Sequence, residues 1–463
     1  MKHLVINSNR GRIDYARALD LTTRLEGDVW FADYAAINGV YLESEHRFKI
    51  DNFVVSNPFP KYCSRILDQT KINNITGSLK HSPTTPITSE EMNFNRTVFE
   101  KSLISHYAKW FGSAEIKLTN IPKNVIQRER IAFIKSYENT LDLIRRFQLD
   151  CIYTQNGRFI VEAAIKLACM ELDISCKFFE NTTVPENRYE VFDSNPHSIM
   201  ENRVKSKRLW EKVFADKPQE AISVAESHLK KRISGDWPWR QEHSSQMQNY
   251  ERDYIAYFPT SDYEFAAVNL EISHAMSQRE LFNVLVKEAK NRNMDLVVRV
   301  HPNPRDPELE RKESAYWNEL CEQSEVTCIV SSNPTPSLSL AKESYCSVVH
   351  MSSIGAEIFY LGYPLIIAAE NYYSHLIPEF EFSSPVRIGV GLDNPPISSD
   401  PSRIYPWSYA QEKLGFSISL FEIKSRSRVF FCGMEIDKEK HLLRLLRGVM
   451  SKAMQKVFFK SQP

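Results

Sequence analysis

The chain has no excess of charge of either sign: 58 lysines and arginines balance 58 aspartates and glutamates. That excludes a globally basic nucleic-acid binder, and any basic face has to be local. It also lacks clustered cysteines. Its 8 cysteines lie far apart, with no Cys-x-x-Cys and no Cys/His group at zinc spacing. Cys151, Cys169 and Cys346 sit in apolar runs, where a free thiol behaves as a small hydrophobe. No apolar run approaches the ~18–20 residues of a membrane span. Leu4–Val5–Ile6 is too short for a signal peptide. Together these absences predict a cytoplasmic protein with reduced thiols. The Asn-x-Thr triplets at Asn74, Asn95 and Asn181 are then chance matches.

What is present reads as a soluble enzyme. A length of 463 residues with 42% hydrophobic and 25% charged content is too long for one core, so two domains are expected. The most informative stretch runs from Cys346 to Tyr373. Cys346–His350 reads as a short buried strand, Ser352, Ser353 and Gly355 open a helix, and Gly362 and Pro364 stop it. Leu365–Ala369 starts another strand. Such a strand, small-residue turn and helix places polar groups at the carboxyl edge of a parallel sheet. Two hydroxyls there suit a phosphate, and Glu357, one turn on, suits a sugar hydroxyl. An ordinary serine-capped helix is the plainer alternative.

Taken in order, Leu4–Asn7 predicts a first strand, and Tyr15–Leu25 a helix. Val29–Phe31 and Phe53–Val55 are short strand candidates. Residues 57–97 are rich in Pro, Ser, Thr and Asn and read as an irregular insertion. Val125–Phe147 shows helical spacing. Cys151–Thr154, Phe159–Leu172 and Ser175–Phe179 then form a βαβ unit. Its turn, Asn156–Gly157–Arg158, and the carboxylate of Glu180 fall on one edge of the sheet. Glu180 just beyond a buried strand suits general-base work, with a salt bridge as the alternative. Residues 204–249 read as polar and mostly helical, ending in a linker, WPWRQEHSSQMQN. A second α/β series follows. Tyr254–Phe258 ends at Thr260–Ser261, Asp295–Val300 ends at His301–Pro302, and Val326–Val330 precedes the stretch described first. The alternation predicts a second doubly wound sheet.

Four blocks of this chain resemble the capsule polysaccharide biosynthesis proteins, glycosyltransferases of bacterial surface polysaccharides with the GT-B fold. They are YTQNGRFIVEAAIKLACMELDISCKFFE, YFPTSDYEF followed by SQRELFNVLV, VVRVHPNPRD, and SSIGAEIFYLGYPLI with its NYY tail. Their order and spacing cover about Tyr153 to Leu376. The resemblance implies two Rossmann-like domains facing a central cleft. The expected boundaries are 1–250 for an acceptor domain, 251–400 for a nucleotide-sugar domain, and 401–463 for a helical extension packing back on the first.

The resemblance further implies that His301–Pro302 and Ser352–Ser353 bind the donor nucleotide, with Ser261, Arg299, Gly355 and Glu357 around them. Glu180 would act as the base and His301 would stabilise the departing phosphate. Asn156, Gly157 and Arg158 would meet the acceptor. Relatives carry an acidic residue or Arg-Gly after that glutamate, where this chain has Asn181–Thr182–Thr183. No Asp-x-Asp triplet occurs, in keeping with metal-independent chemistry and no cofactor beyond the nucleotide sugar. The compact set of one histidine and two serines favours a CMP-activated acid such as Kdo or a sialic acid. A UDP donor would call for more Lys, Arg or glycine-rich backbone. The partners implied are a nucleotide sugar and a glycan or glycolipid of capsule, O-antigen or lipopolysaccharide. Residues 441–460 predict a basic amphipathic helix that packs on the first domain or rests on anionic lipid at the inner membrane face. A CDP-glycerol-type polyol-phosphate transferase and a non-catalytic nucleotide- or sugar-binding scaffold are the alternatives.

Overall fold

The apolar runs become strands and the 3.6-period stretches become helices. The computed structural model describes residues 1–8, 12–34, 73–75, 96–111, 117–182, 187–235, 253–261, 276–301, 307–425, 428–431 and 434–435. In chain order the first elements are β1 (Lys2–Asn7), α1 (Arg12–Arg24), β2 (Asp28–Asp33) and β3 (Asn73–Asn74). Then come α2 (Arg96–Phe111), α3 (Lys123–Phe147), β4 (Cys151–Gln155), α4 (Ile160–Glu171), β5 (Ser175–Asn181) and β6 (Arg188–Phe192). Next are α5 (Ile199–Asp216), α6 (Pro218–Ser234), β7 (Tyr254–Phe258), α7 (Gln278–Asn291), β8 (Asp295–Arg299) and α8 (Pro307–Gln323). They are followed by β9 (Thr327–Ile329), α9 (Ser337–Glu343), β10 (Cys346–Val349), α10 (Ile354–Tyr360) and β11 (Leu365–Ile367). The last are α11 (Pro385–Asp393), α12 (Tyr405–Lys413), β12 (Phe416–Ser417), β13 (Glu422–Ser425), β14 (Arg428–Phe431) and β15 (Met434–Glu435). The expected strand at Phe53–Val55, most of the 57–97 insertion, the WPWRQEHSSQMQN linker and the 441–460 helix lie outside the described residues.

The chain divides into two units, each Rossmann-like and α/β. One is Met1–Phe99, Asn124–Pro196 and Gly415–Pro463; the other is Glu100–Lys123 and His197–Leu414. This division falls at 196/197 and 414/415, beside the boundaries at 250 and 400 expected from the sequence. The reason is packing. Helices α5 and α6 bury Ala221, Ala225 and Leu229 in one core with Trp407 and Tyr409 of α12. Ser408 Oγ donates to the Ala225 carbonyl at 2.7 Å. A narrow alanine stripe on a polar helix shows that a face is buried and not which partner buries it.

The sheet of the first unit runs β12-β6-β5-β4-β1-β2-β3. From β5 to β3 it is parallel, and β6 and β12 add antiparallel strands. Strand β6 was not foreseen, and it carries a correction: Glu180 lies inside β5, opposite Glu190, instead of beyond it. The chain grows from β1 outward to β2 and β3, then returns to add β4 on the other side of β1. Loops after β1 and β4 therefore diverge at a topological switch point. The second unit repeats the device. Its all-parallel sheet runs β11-β10-β7-β8-β9, with the switch between β7 and β10.

Asp20 of α1, fully buried, fastens the returning chain after Gly415. One oxygen accepts from the Ser419 and Leu420 N–H groups at 2.7 and 2.9 Å. The other accepts from Arg24 at 2.6 Å and Tyr189 at 2.9 Å. Burial alone would push this carboxyl up, but the bonds from Arg24, Leu420, Ser419 and Tyr189 together hold it below the usual range. Its stabilisation is present above the ordinary aspartate pKa and is lost as pH falls through the lowered one. Asp20→Asn is expected to cost about 3 kcal/mol at neutral pH, shrinking toward zero in strong acid, read by urea melts. A cost independent of pH would contradict this.

Candidate functional site

In the second unit the ends of β10, β7 and β8 are side by side, so the loops bearing Ser352–Ser353, Thr260–Ser261 and His301 emerge together. Local bonds set their course. Gln278, at the start of α7, clamps Thr260: its Oε1 accepts from the Thr260 N–H at 2.6 Å and its Nε2 donates to the Thr260 carbonyl at 2.7 Å. A Ser277–Glu280 capping box holds that helix start. Thr260 Oγ1 accepts from the Met351 N–H at 3.1 Å, tying the two switch-point loops together. The His350 ring, buried, donates from Nε2 to the Met276 carbonyl at 2.9 Å. Burial pushes its pKa down to about 4, so the imidazole stays neutral near pH 7.

The serine pair is held from below. The Tyr373 hydroxyl donates to the Ser352 carbonyl at 2.7 Å. A Cβ on Gly355 would come within 2.2 Å of that hydroxyl, which explains the glycine. Ser352 is buried, and its hydroxyl has no hydrogen-bond partner among the described residues. Ser353 Oγ accepts from Arg232 at 2.9 Å, which leaves its own proton for another acceptor. His301 is exposed at the rim, and Pro302 lies outside the described residues.

Three expected nucleotide contacts are spent elsewhere. Arg299 is 1% exposed and turns into the sheet edge. It donates to the Val330 and Asn333 carbonyls at 2.6 and 3.1 Å, anchoring the loop after β9, and burial pushes its pKa down to about 10. Glu357 is buried and accepts from Arg232 Nε at 2.7 Å. Ser261 is buried and donates to Glu313 at 3.3 Å.

In the first unit the switch point gathers acid groups. Glu180 Oε2 accepts from Asn156 Nδ2 at 2.6 Å, and Oε1 from the Asn181 N–H at 2.9 Å. Asn156 has φ 52° and Gly157 φ 81°. A Cβ on Gly157 would strike the Phe178 ring at 2.5 Å, so this turn needs glycine. The Arg158 guanidinium lies over the Phe159 ring at 4.7 Å. Two further carboxyls were not foreseen. Glu162, in the first turn of α4, is buried and accepts from Ser8 Oγ at 2.6 Å. Burial, with Glu180 and Asp14 nearby, raises it to about 7 against the Ser8 hydrogen bond. Asp14 is raised to about 6, first by burial and then by Glu180, against the pull of Arg17. Among the described residues no three His, Cys, Asp or Glu are placed to hold a metal ion.

No family model matches the chain, and no curated protein matches it. Solved structures do resemble it. The UDP-GlcNAc 2-epimerase of Methanocaldococcus jannaschii, in complex with UDP-GlcNAc and UDP, has 10% identity and a TM-score of 0.30 over 85% of this chain and 92% of that one. KpsC of Thermosulfurimonas dismutans, a beta Kdo 2,4 transferase, has 14% identity and a TM-score of 0.39 over 56% and 79%. MurG of Acinetobacter baumannii has 9% identity and a TM-score of 0.23 over 80% and 78%. No helix among the described residues is long and apolar enough to cross a membrane.

The missed acids had one visible signal. Asp14 and Glu162 both fall in the first turn of a helix that follows a strand of the first sheet. The raised Glu162 carboxyl stabilises the fold fully below the ordinary glutamate pKa of 4.5, and this is lost as pH rises through about 7. Glu162→Gln should match the wild type near pH 4 and exceed it by up to about 3 kcal/mol near pH 8 in urea melts. An equal difference at both pH values would contradict the burial of an ionising group.

Proposed function

We propose that the protein is a GT-B-type glycosyltransferase acting on a bacterial capsule, O-antigen or related surface glycan, with a CMP-activated Kdo or sialic-type acid as donor. The observation that carries this reading is the group of loop ends at the switch point of the second sheet. There Ser352 offers an uncommitted hydroxyl, Ser353 an uncommitted proton, and His301 an exposed imidazole on the next strand but one. Hydroxyl and imidazole N–H groups are donors suited to one phosphate group. Of the two arginines flanking His301 that could serve a second phosphate, Arg299 is bonded to backbone carbonyls instead, and Arg305 lies outside the described residues. That favours a single-phosphate donor. The four sequence blocks resembling capsule polysaccharide biosynthesis proteins support the same reading.

In the proposed reaction the acceptor oxygen attacks the anomeric carbon of the donor and its proton passes to a general base, the role that the family resemblance gives to Glu180. The bond from that carbon to the phosphate oxygen breaks, and CMP leaves with the electron pair. Ser352, Ser353 and His301 donate to the phosphate as its charge grows. Asn156 and the Asn181 N–H fix the Glu180 carboxylate in place, which limits the motion the base must lose before reaction.

Glu180→Gln is expected to lower turnover by about 10²–10⁴-fold with CMP affinity unchanged. Near-full turnover would remove Glu180 as base and bring Glu162 forward. Replacing both Ser352 and Ser353 by Ala should weaken CMP binding by ~1.5–3 kcal/mol for each lost bond to the phosphate, and unchanged affinity in calorimetry would sink the cradle. A phosphodiester in place of a glycosidic bond in the product would point to a polyol-phosphate transferase. Nucleotide binding without donor turnover would point to a scaffold.

A further inference from the structure

Among the described side chains, the carboxyl edge of the first sheet gathers carboxyl groups and buried oxygens. Glu180 lies close enough to Asp14 and to Glu162 to raise the proton affinity of each. Asp33 adds a fourth carboxylate beside Asn7, at 2.9 Å. Among the side chains described here, Arg17 pairs with Asp14 at 2.8 Å and Arg158 lies on the Phe159 ring. Buried oxygens lacking a partner stand in the same place. Gln155, 8% exposed, gives its amide hydrogen to Asp14 while its Oε1 accepts nothing. Among the described residues, Asn7 Oδ1 at the end of β1 is likewise a buried acceptor without a partner, and the Thr182 hydroxyl just after β5, able to donate or accept, has none either.

Buried acceptors without donors are costly to leave unmade. A ligand that fits them brings donors, and the four carboxyl groups beside them disfavour an anion. We propose that this edge seats a neutral or amino-bearing sugar, recognised through its hydroxyl or ammonium donors, and that Gln155 reads it through Oε1. The site thereby rejects glycan ends carrying a carboxylate or phosphate. Gln155 is placed for this because its amide is held by Asp14 while its Oε1 is left without a partner. The inference deepens the transferase reading by naming the class of its acceptor, and it rests on that reading only in calling the sugar an acceptor.

The test uses the full chain and three probes, the methyl glycosides of N-acetylglucosamine, glucosamine and glucuronic acid, followed by saturation-transfer NMR. The first two are expected to bind and the glucuronide to bind at least about tenfold more weakly. Gln155→Leu should weaken the neutral glycoside by about tenfold with CMP binding and melting temperature retained. The comparison of the three probes on the wild type stands even if that variant fails to fold. Glucuronide binding as tight as the neutral sugar, or CMP binding with none of the three glycosides, overturns the proposal. So does a rise in melting temperature with calcium chloride alone and no glycoside effect. Glycosides binding in the expected order without any nucleotide binding would sink the transferase reading and leave this site standing.

Discussion

The functional residues of each unit depend on a strand that returns to the wrong side of its own beginning. In the second unit β7, β8 and β9 fill one direction of the sheet, so β10 joins on the free edge of β7. Right-handed crossovers then send the connections after β7 and β10 to opposite faces, and the gap between them opens at the carboxyl edge. The first unit does the same with β1 and β4. Polar ends exposed in such a gap need fixing. In the second unit Gln278 clamps Thr260, Tyr373 holds the Ser352 carbonyl, and His350 ties back to Met276. These bonds cost the loops their freedom in advance, which is what binding a small charged ligand requires.

The two gaps differ in chemistry. The second offers hydroxyls and an imidazole, while its arginines serve architecture: Arg299 gathers loop carbonyls, and Arg232 joins Glu357 to Ser353. The first offers carboxyls, two of them raised by burial. Paired carboxyls whose environments push their proton affinities apart supply acid and base roles in one place. Glu162 is buried under the Ser8 hydroxyl, while Glu180 is reached by the Asn156 amide.

Much of the fold was legible because buried parallel strands are near-continuous apolar runs, and Cys151–Gln155, Tyr254–Phe258 and Cys346–Val349 are such runs. The loop ends that follow them were legible for the same reason. Strand β6 was not, since Arg188–Phe192 alternates polar and apolar residues too briefly to stand apart from loop. The unit boundary was hidden because a helix's apolar stripe does not name its partner. Glu357 illustrates the limit for single residues. Its place one turn into the helix was read correctly, but its partner Arg232 is 125 residues away in sequence, and only the fold brings them together. Arg299 misled in the same way, since strand alternation gives a side but not what the side chain meets there. Asp14 and Glu162 escaped because nothing in a helix's first turn distinguishes a buried acid from an ordinary one favoured by the dipole.

The central claim is that the switch point of the second sheet holds the nucleotide of a single-phosphate donor. Hydrogen exchange of the full chain with saturating CMP, UDP or GDP tests it directly. The account predicts protection at Thr260–Ser261 and from Met351 to Ala356, reached at lower concentration with CMP than with the diphosphates. Protection confined to other segments, or reached first with UDP or GDP, would contradict it.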